Sequence, residues 1–533
     1  MNMEEAMKKI FALLLALCMM ATMLVGCNKN DGVAAGYVPT DTVSNQYETI
    51  TVEGSDIQYK KATDMTTEQI TLTYFHFDQD ETVKYLAERF MQIYPNIKVE
   101  CTWNEVGTYN DTLLTLVNSG KTPDVVMYSD ADFALANFIL SDVSSYWNSD
   151  NETKNLADTI NDAGLGTFNT SGRFGVPVKF FPSAVYVDLN VLETLNLEAP
   201  TQNWTWGEMI DLIKKATVLD SPDGMAYYGM GFYNRLDSYY GIASSQDIIG
   251  EFGFDGTDFD LAAWAVGEQE FAGLKLGGYI APSPETEAME EWMGEWEGWC
   301  GASGHTAMFS EAFWTFQNIW NEPTWKENNP TIEVVPYVIP AVSEEDASAS
   351  HHAIATIDFG GISASCVYRR EAYELLKFMS FGIDGWKTRI ELYNKDDALN
   401  ASGIHLKHDV MPVPTTKDEE VWAAYEEMFC EGMSDESKAH WANYFDSVMN
   451  PIPYGWTAIA GYWNFCDQYF NSIGIHDKVD TGAAQAADYV EEATRKANYY
   501  HADAMLNYFG PTGYNILSQE EIDLYTQMVS DNS

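Results

Sequence analysis

The order of hydrophobic periods between residues 70 and 128 constrains the fold more than any other feature of the chain. Ile70-Thr71-Leu72-Thr73-Tyr74-Phe75 alternates as a strand does, and Val83, Leu86, Ala87, Phe90 and Tyr94 then recur at helical spacing until Pro95 forbids continuation. Ile97, Val99, Cys101 and Trp103 alternate again. Leu113, Leu116 and Val117 mark a second helix that stops at Gly120, and Val125-Val126-Met127-Tyr128 reads as a short buried strand. Strand, helix, strand, helix, strand predicts an α/β unit built on a parallel sheet. Farther on, Thr205-Trp206-Gly207-Glu208 has the form of a capping box and predicts a helix to about Ala216. Two more helices are predicted over 370–381 and, in an Ala-rich stretch, over 483–507.

The chain has 533 residues, too many for one hydrophobic core, so two or more domains or lobes are expected. Against 29 Lys and Arg stand 80 Asp and Glu, a formal net charge of −51 that repels phosphate backbones and anionic headgroups and argues against nucleic-acid binding. Aromatic residues make up 14% of the chain, a supply suited to surfaces that grip flat apolar ligand faces.

At the N-terminus, Lys8 and Lys9 precede an apolar run over 10–24 that is too short to span a bilayer and has the order of a secretion signal. Leu24-Val25-Gly26-Cys27 resembles the bacterial lipobox, in which the Cys is lipidated and becomes the first mature residue. Residues 1–26 are therefore expected to leave as a lipoprotein signal peptide, with Cys27 holding the protein by several acyl chains on the outer face of the cell membrane. The polar stretch 27–69 reads as a tether with one weak strand near 48–52. Five cysteines remain, at 101, 300, 366, 430 and 466, without a CxxC pair, which argues against a disulfide framework and a zinc knuckle.

Motifs of catalysis are incomplete. Gly120-Lys121-Thr122 ends a helix where a phosphate loop would open one, and Gly361-Ile362-Ser363-Ala364-Ser365 lacks the last glycine of a nucleophile elbow. No HExxH occurs, and His405 and His408 lie between Gly403 and Pro412 in a loop-like context. No metal, cofactor or catalytic residue is expected. With so many acidic residues, a glycosidase pair can be neither nominated nor excluded by spacing.

Several stretches in order resemble the extracellular solute-binding proteins of ABC importers, in particular the branch that includes sugar-binding lipoproteins. They are Tyr94-Pro95-Asn96-Ile97-Lys98-Val99, Asn118-Ser119-Gly120-Lys121-Thr122-Pro123-Asp124-Val125, Phe174-Gly175-Val176-Pro177, Trp204-Thr205-Trp206-Gly207-Glu208, Gly304-His305-Thr306-Ala307-Met308 with Trp314, and Gly360-Gly361-Ile362-Ser363. Where that family often has Tyr-Asn after the proline crossing, this chain has Val187-Asp188, so no binding role is carried to that position. The resemblance implies an α/β, two-lobe periplasmic-binding-protein-like fold (type II), with hinge crossings and a ligand cleft between the lobes. Lobe 1 is expected over 70–176 plus about 361–410, and lobe 2 over 177–360 plus about 411–533.

It also implies a monomeric, non-enzymatic receptor that captures a carbohydrate, most simply an oligosaccharide, by lobe closure. The receptor would deliver it to the membrane permease subunits of an importer whose ATPase is separately encoded. The rival readings are a surface glycoside hydrolase, or the same fold binding ferric ion, a peptide or a polyamine.

Ligands of open α/β sheets sit beyond the carboxyl ends of the parallel strands, here Phe77 and Asp78 after the first strand and Ser129 and Asp130 after the third. Asp78, Ser129 and Asp130 read equally as helix caps and as ligand contacts. Trp314 is placed in the second lobe by its motif, and Phe180, Phe181, Tyr454 and Trp456 follow prolines or lobe crossings and are candidate cleft aromatics. Trp206, beside the capping box, and the stripe Trp292, Trp296 and Trp299 read better as packing residues.

Overall fold

The structure is a computed structural model, and it describes residues 37–156, 170–222, 224–233, 236–245, 247–283, 286–293, 303–314, 333–342, 355–395, 412–449 and 459–533. Its first elements form a hairpin, β1 (Tyr47–Thr51) and β2 (Gln58–Ala62), antiparallel in register. The expected α/β unit follows as β3 (Ile70–His76), α1 (Asp80–Ile93), β4 (Ile97–Trp103), α2 (Val106–Asn118) and β5 (Val125–Tyr128). β3 lies between β4 and β5 and is parallel to both. Helix α1 stops where expected: Tyr94 caps it, and Pro95 follows.

Within the stretch expected to be a tether, residues 37–69 are described, and the hairpin there is packed on the rest of the molecule. Tyr59 is fully buried, its hydroxyl within 3.2 Å of Thr388 Oγ1 and accepting from Arg89 at 2.6 Å, and Asp64 receives two hydrogen bonds from the buried Arg370 guanidinium. Few large apolar residues are enough here, because the hairpin lies on a core that other elements supply.

The short helix α3 (Ala131–Ala136) follows β5, and the chain then enters β6 (Val176–Asp188), which is buried throughout. Residues 176–182 of β6 pair antiparallel with β10 (Ala355–Ile362), and residues 183–188 pair antiparallel with β8 (Thr306–Ala312) and β9 (Val334–Tyr337). Pro182 sits at the change of partner, and without an N–H it has no ladder bond to donate. One strand thus belongs to both halves of the molecule.

β10 returns antiparallel to β5, and β7 (Tyr228–Tyr233) closes the other end parallel to β8, giving the order β4-β3-β5-β10-β6-β8-β7. The parallel pattern read from the sequence therefore holds within 70–128, and both crossings, β6 and β10, run antiparallel to their neighbours.

Between β6 and β7, helix α4 (Trp206–Lys215) carries the predicted capping box. The Thr205 side chain accepts from the Glu208 amide, and the Glu208 carboxylate accepts from the Thr205 amide. Trp206 is buried, as expected of a packing residue. Helix α5 (Ala262–Leu276) follows β7. After β10 come α6 (Arg369–Met379), α7 (Ile383–Tyr393), α8 (Glu419–Phe429), α9 (Asp435–Val448), the short α10 (Tyr462–Phe465) and α11 (Ile475–Asp480), α12 (Val490–Phe509) and α13 (Gln519–Asn532).

The Ala-rich helix begins at Val490 rather than at 483. Gly482, with φ +71°, and a capped turn at Gln485 break the chain before it.

Side chains gather in one large cluster around β3 to β5 and β10, a second around α4, β7 and the ends of β6 and β8, and a third between α5 and α10 to α12. Trp422, Tyr425, Phe429, Trp441 and Phe445 of α8 and α9 join the first cluster, which also takes in Phe309 of β8 and Val334 of β9. Ala493 and Ala497 of α12 pack in the third cluster and Met505 and Phe509 in the first, so this helix also spans both halves.

Candidate functional site

A cavity of about 440 Å³ opens at the carboxyl end of β7. That is within the roughly 300–1,000 Å³ that holds small ligands. Gly231, Phe232 and Tyr233 come from β7 itself, and Ile280 to Ser283 line one side. Tyr462, Trp463, Cys466 and Phe470, on α10 and the turn that continues it, form an aromatic wall together with Phe252.

The wall is held in place from the other half of the molecule. Gly461 precedes α10 with φ +79°, and a Cβ there would lie 2.3 Å from the Tyr500 carbonyl oxygen, so only glycine fits. The amides of Gly461 and Trp463 donate to the two carboxylate oxygens of Asp132 on α3, at 2.6 and 3.2 Å. Burial pushes the Asp132 carboxyl up to about 7, against the opposing pull of the Gly461 amide.

Polar groups occupy the floor. Asp237 follows β7, Glu268 is on α5 and His476 on α11. The His476 Nδ1 lies 2.7 Å from Glu268 Oε1 and 3.9 Å from Asp237 Oδ2. Asp237 and Glu268 are buried, and Asp237 and His476 line the cavity. Burial, then the hydrogen bond and charge of Glu268, raise the Asp237 carboxyl well above the usual range. Burial would lower His476, but the hydrogen bond and charge of Glu268 prevail and raise it to about 9. Glu268 is itself lowered: its hydrogen bonds from His476 and Asp237 outweigh the cost of burial. Asp480 pairs with Lys275 at 2.5 Å beside them.

Of the residues singled out from sequence, Asp78 is buried and accepts from Lys179 at 2.7 Å, with Arg389 at 3.7 Å. It does not cap α1; the Gln79 side chain does, accepting from the Thr82 amide. Phe77 packs edge-on against Tyr109. Asp130 caps α3 by accepting from Phe133 and stands close enough to Asp467 for that charge, after burial, to raise its carboxyl. Ser129, half-buried beside it, follows the last residue of β5.

Phe180 and Phe181 are buried in β6, and Trp314, half-buried, meets the Phe181 ring edge-on at 5.4 Å. Trp292 packs on Tyr228 and donates to the Ala226 carbonyl. Cys27, Trp296, Trp299, His405, His408, Tyr454 and Trp456 lie outside the described residues.

The cavity brings together a different set: Tyr233, Asp237, Tyr462, Trp463 and His476. No sequence motif unites them. Glu268 and His476 are 208 positions apart, and the one local signal is Gly461 before an aromatic run.

A sequence model of the family described as bacterial extracellular solute-binding protein matches residues 77–381, more than half of the chain. An uncharacterized lipoprotein in the oleD 5' region of Streptomyces antibioticus is 28% identical over 149 residues, which are 26% of this chain and 31% of that one, so the chain spans about a third of that relative's length. Among solved structures, an ABC substrate-binding protein from Listeria monocytogenes in complex with cycloalternan superposes with a TM-score of 0.56 at 17% identity, covering 81% of this chain and 98% of its own. The sugar-binding protein MalE from Xanthomonas citri gives a TM-score of 0.58 at 14% identity, with coverage of 81% and 98%. At such identities the likeness is one of fold, the two-lobe binding-protein fold.

Proposed function

The chain belongs to the bacterial extracellular solute-binding proteins, and we propose that within this family it is a lipid-anchored receptor that binds an oligosaccharide without catalysis and passes it to the permease of an ABC importer. The observation that carries this reading is the cavity beyond β7, where an aromatic wall faces carboxylates. Sugars need both: acceptors for several hydroxyl protons, and an apolar face to cover the C–H side of the ring. The wall also hangs from Asp132 on the opposite half, so a solute in the cavity lies next to the junction that closure would change.

The sugars bound by the Listeria and Xanthomonas proteins agree with this chemistry. Trp314, beside the crossing strand, and Ser129 and Asp130, at the end of β5, are the groups we assign to the outer part of the same ligand path. Cys27 supplies the anchor.

The deciding experiment is a calorimetric screen of the mature protein against a panel of glycans, with ferric ion, peptides and polyamines included. Saturable one-site binding of an oligosaccharide, recovered intact afterwards, is expected. Release of shortened sugar would establish a hydrolase instead, and binding of only an ion, peptide or polyamine would replace the ligand class.

A further inference from the structure

We propose that Asp237, Glu268 and His476 form a binding site for one transition-metal dication of the zinc or manganese class, set in the floor of the cavity. Three donors of the right kinds converge there from three separate elements: the turn after β7, helix α5 and helix α11. One atom from each, an imidazole nitrogen and two carboxylate oxygens, lies within 4.8 Å of the others.

The spacing suits such an ion. With metal–ligand bonds of about 2.1 Å, adjacent donors of a four- to six-coordinate centre stand roughly 3.0 to 3.4 Å apart. The His476 Nδ1 separations of 2.7 Å to Glu268 and 3.9 Å to Asp237 bracket that value, so small side-chain rotations reach it.

Burial sharpens the case. Two carboxylates out of water and next to one another need a positive charge or a proton between them. A dication with two anionic ligands and a neutral imidazole meets that need in place of the hydrogen bonds that Glu268 receives from His476 and Asp237 in the metal-free site. Asp480 and Lys275, the other charged groups lining the cavity among the described residues, pair with each other.

The donor set also selects the metal. Calcium and magnesium take oxygen ligands, whereas an imidazole beside carboxylates suits zinc and its first-row neighbours. Because Asp237 and His476 face the cavity, the remaining coordination positions of the ion would open towards it, within reach of water or of a solute hydroxyl.

The site stands on its own residues, whatever solute the cavity takes. The test is equilibrium dialysis of the chelator-treated mature protein against zinc, manganese, calcium or magnesium, read by elemental analysis. It is run at about 0.5 M salt, where screening over a few Å suppresses diffuse cation uptake by a chain of charge −51.

One equivalent of zinc or manganese is expected, with affinity falling about a hundredfold or more in Asp237→Asn, Glu268→Gln and His476→Ala. The His476 side chain is 44% exposed, and His476→Gln, which lacks the imidazole but keeps a hydrogen-bond donor for the buried Glu268, serves the same comparison if His476→Ala unfolds. Uptake that is absent, that is equal in wild type and His476→Ala, or that favours calcium or magnesium would overturn the proposal. One equivalent of zinc without affinity for any glycan would support the metal site and defeat the carbohydrate reading, so the two fail separately.

Discussion

The Oδ1 atom of Asp132, on the short helix after β5, accepts a 2.6 Å hydrogen bond from the amide of Gly461, 329 residues further along the chain. The second oxygen accepts from Trp463. A side chain of the first α/β unit therefore sets the position of the aromatic wall in the other half. If the halves move on ligand binding, this contact is one that motion must keep or break.

Asp132 has a measurable pH signature. Its carboxyl is raised to about 7 in the folded protein, from roughly 3.9 in an unfolded chain. A raised acid favours folding fully below the unfolded value and loses that contribution as pH rises to the folded one. Denaturant midpoints of wild type and Asp132→Asn should therefore diverge between about pH 4 and pH 7, with the variant gaining relative to wild type as pH rises. A constant difference across that window would mean that Asp132 titrates normally.

Trp463 and Trp264 should respond in opposite ways. Trp463 lines the cavity, and losing its indole removes apolar cover worth roughly 1.5 to 3 kcal/mol, so Trp463→Ala should weaken the ligand about ten- to hundredfold with a modest change in melting temperature. Trp264 is fully buried in the third cluster, and Trp264→Ala should cost about 3 to 5 kcal/mol of stability while the folded fraction binds normally. Calorimetry and thermal melts on both variants separate the roles. Trp314→Ala, scored in the same way, decides whether that ring belongs to the ligand path or to the packing against Phe181.

Arg370 is 1% exposed and bonds Asp64 twice and Glu374 once. Arg370→Ala leaves Glu374 with Lys377 and Asp64 with the Ser44 amide as their remaining partners, and should cost about 3 kcal/mol. Because Asp64 follows β2, limited proteolysis should then cut near the hairpin before the rest of the chain. Cleavage unchanged from wild type would show that the hairpin is held without Arg370, by its other contacts, Tyr59 with Arg89 and Thr388 among them.

Membrane retention should depend on Cys27. Several acyl chains hold a protein where one is marginal. Cys27→Ser should release the protein or leave it unprocessed, as fractionation and mass spectrometry would show, and full retention of the variant would rule out the lipid anchor.

Closure predicts a smaller radius of gyration with saturating ligand, because the solute favours the state in which it touches both halves. Small-angle scattering that is identical with and without a tightly bound ligand would count against a trapping motion.

The β3-to-β5 unit, the Thr205–Glu208 capping box and the stop of α1 before Pro95 were legible because each is written within a few residues. Alternation, helical spacing and a cap act over one or two turns of chain, and a single sequence displays them directly. Of the hairpin only β1 was legible, as the weak strand expected near 48–52; its packing escaped for the converse reason, since Tyr59 and Asp64 are ordered by Arg89, Thr388 and Arg370, which no local pattern announces.

By itself, the sequence determined the α/β period and the family, whose motifs stand as short ordered islands, and it set the expectation of an exported, lipid-anchored leader. Only the tertiary structure decided that β6 serves both halves, that Asp132 carries the wall begun at Gly461, and that Asp237, Glu268 and His476 meet. Such contacts join residues up to hundreds of positions apart. They exist only after the sheet order and the two crossings have brought distant segments together, and a pattern confined to neighbours along the chain cannot encode where those segments will meet.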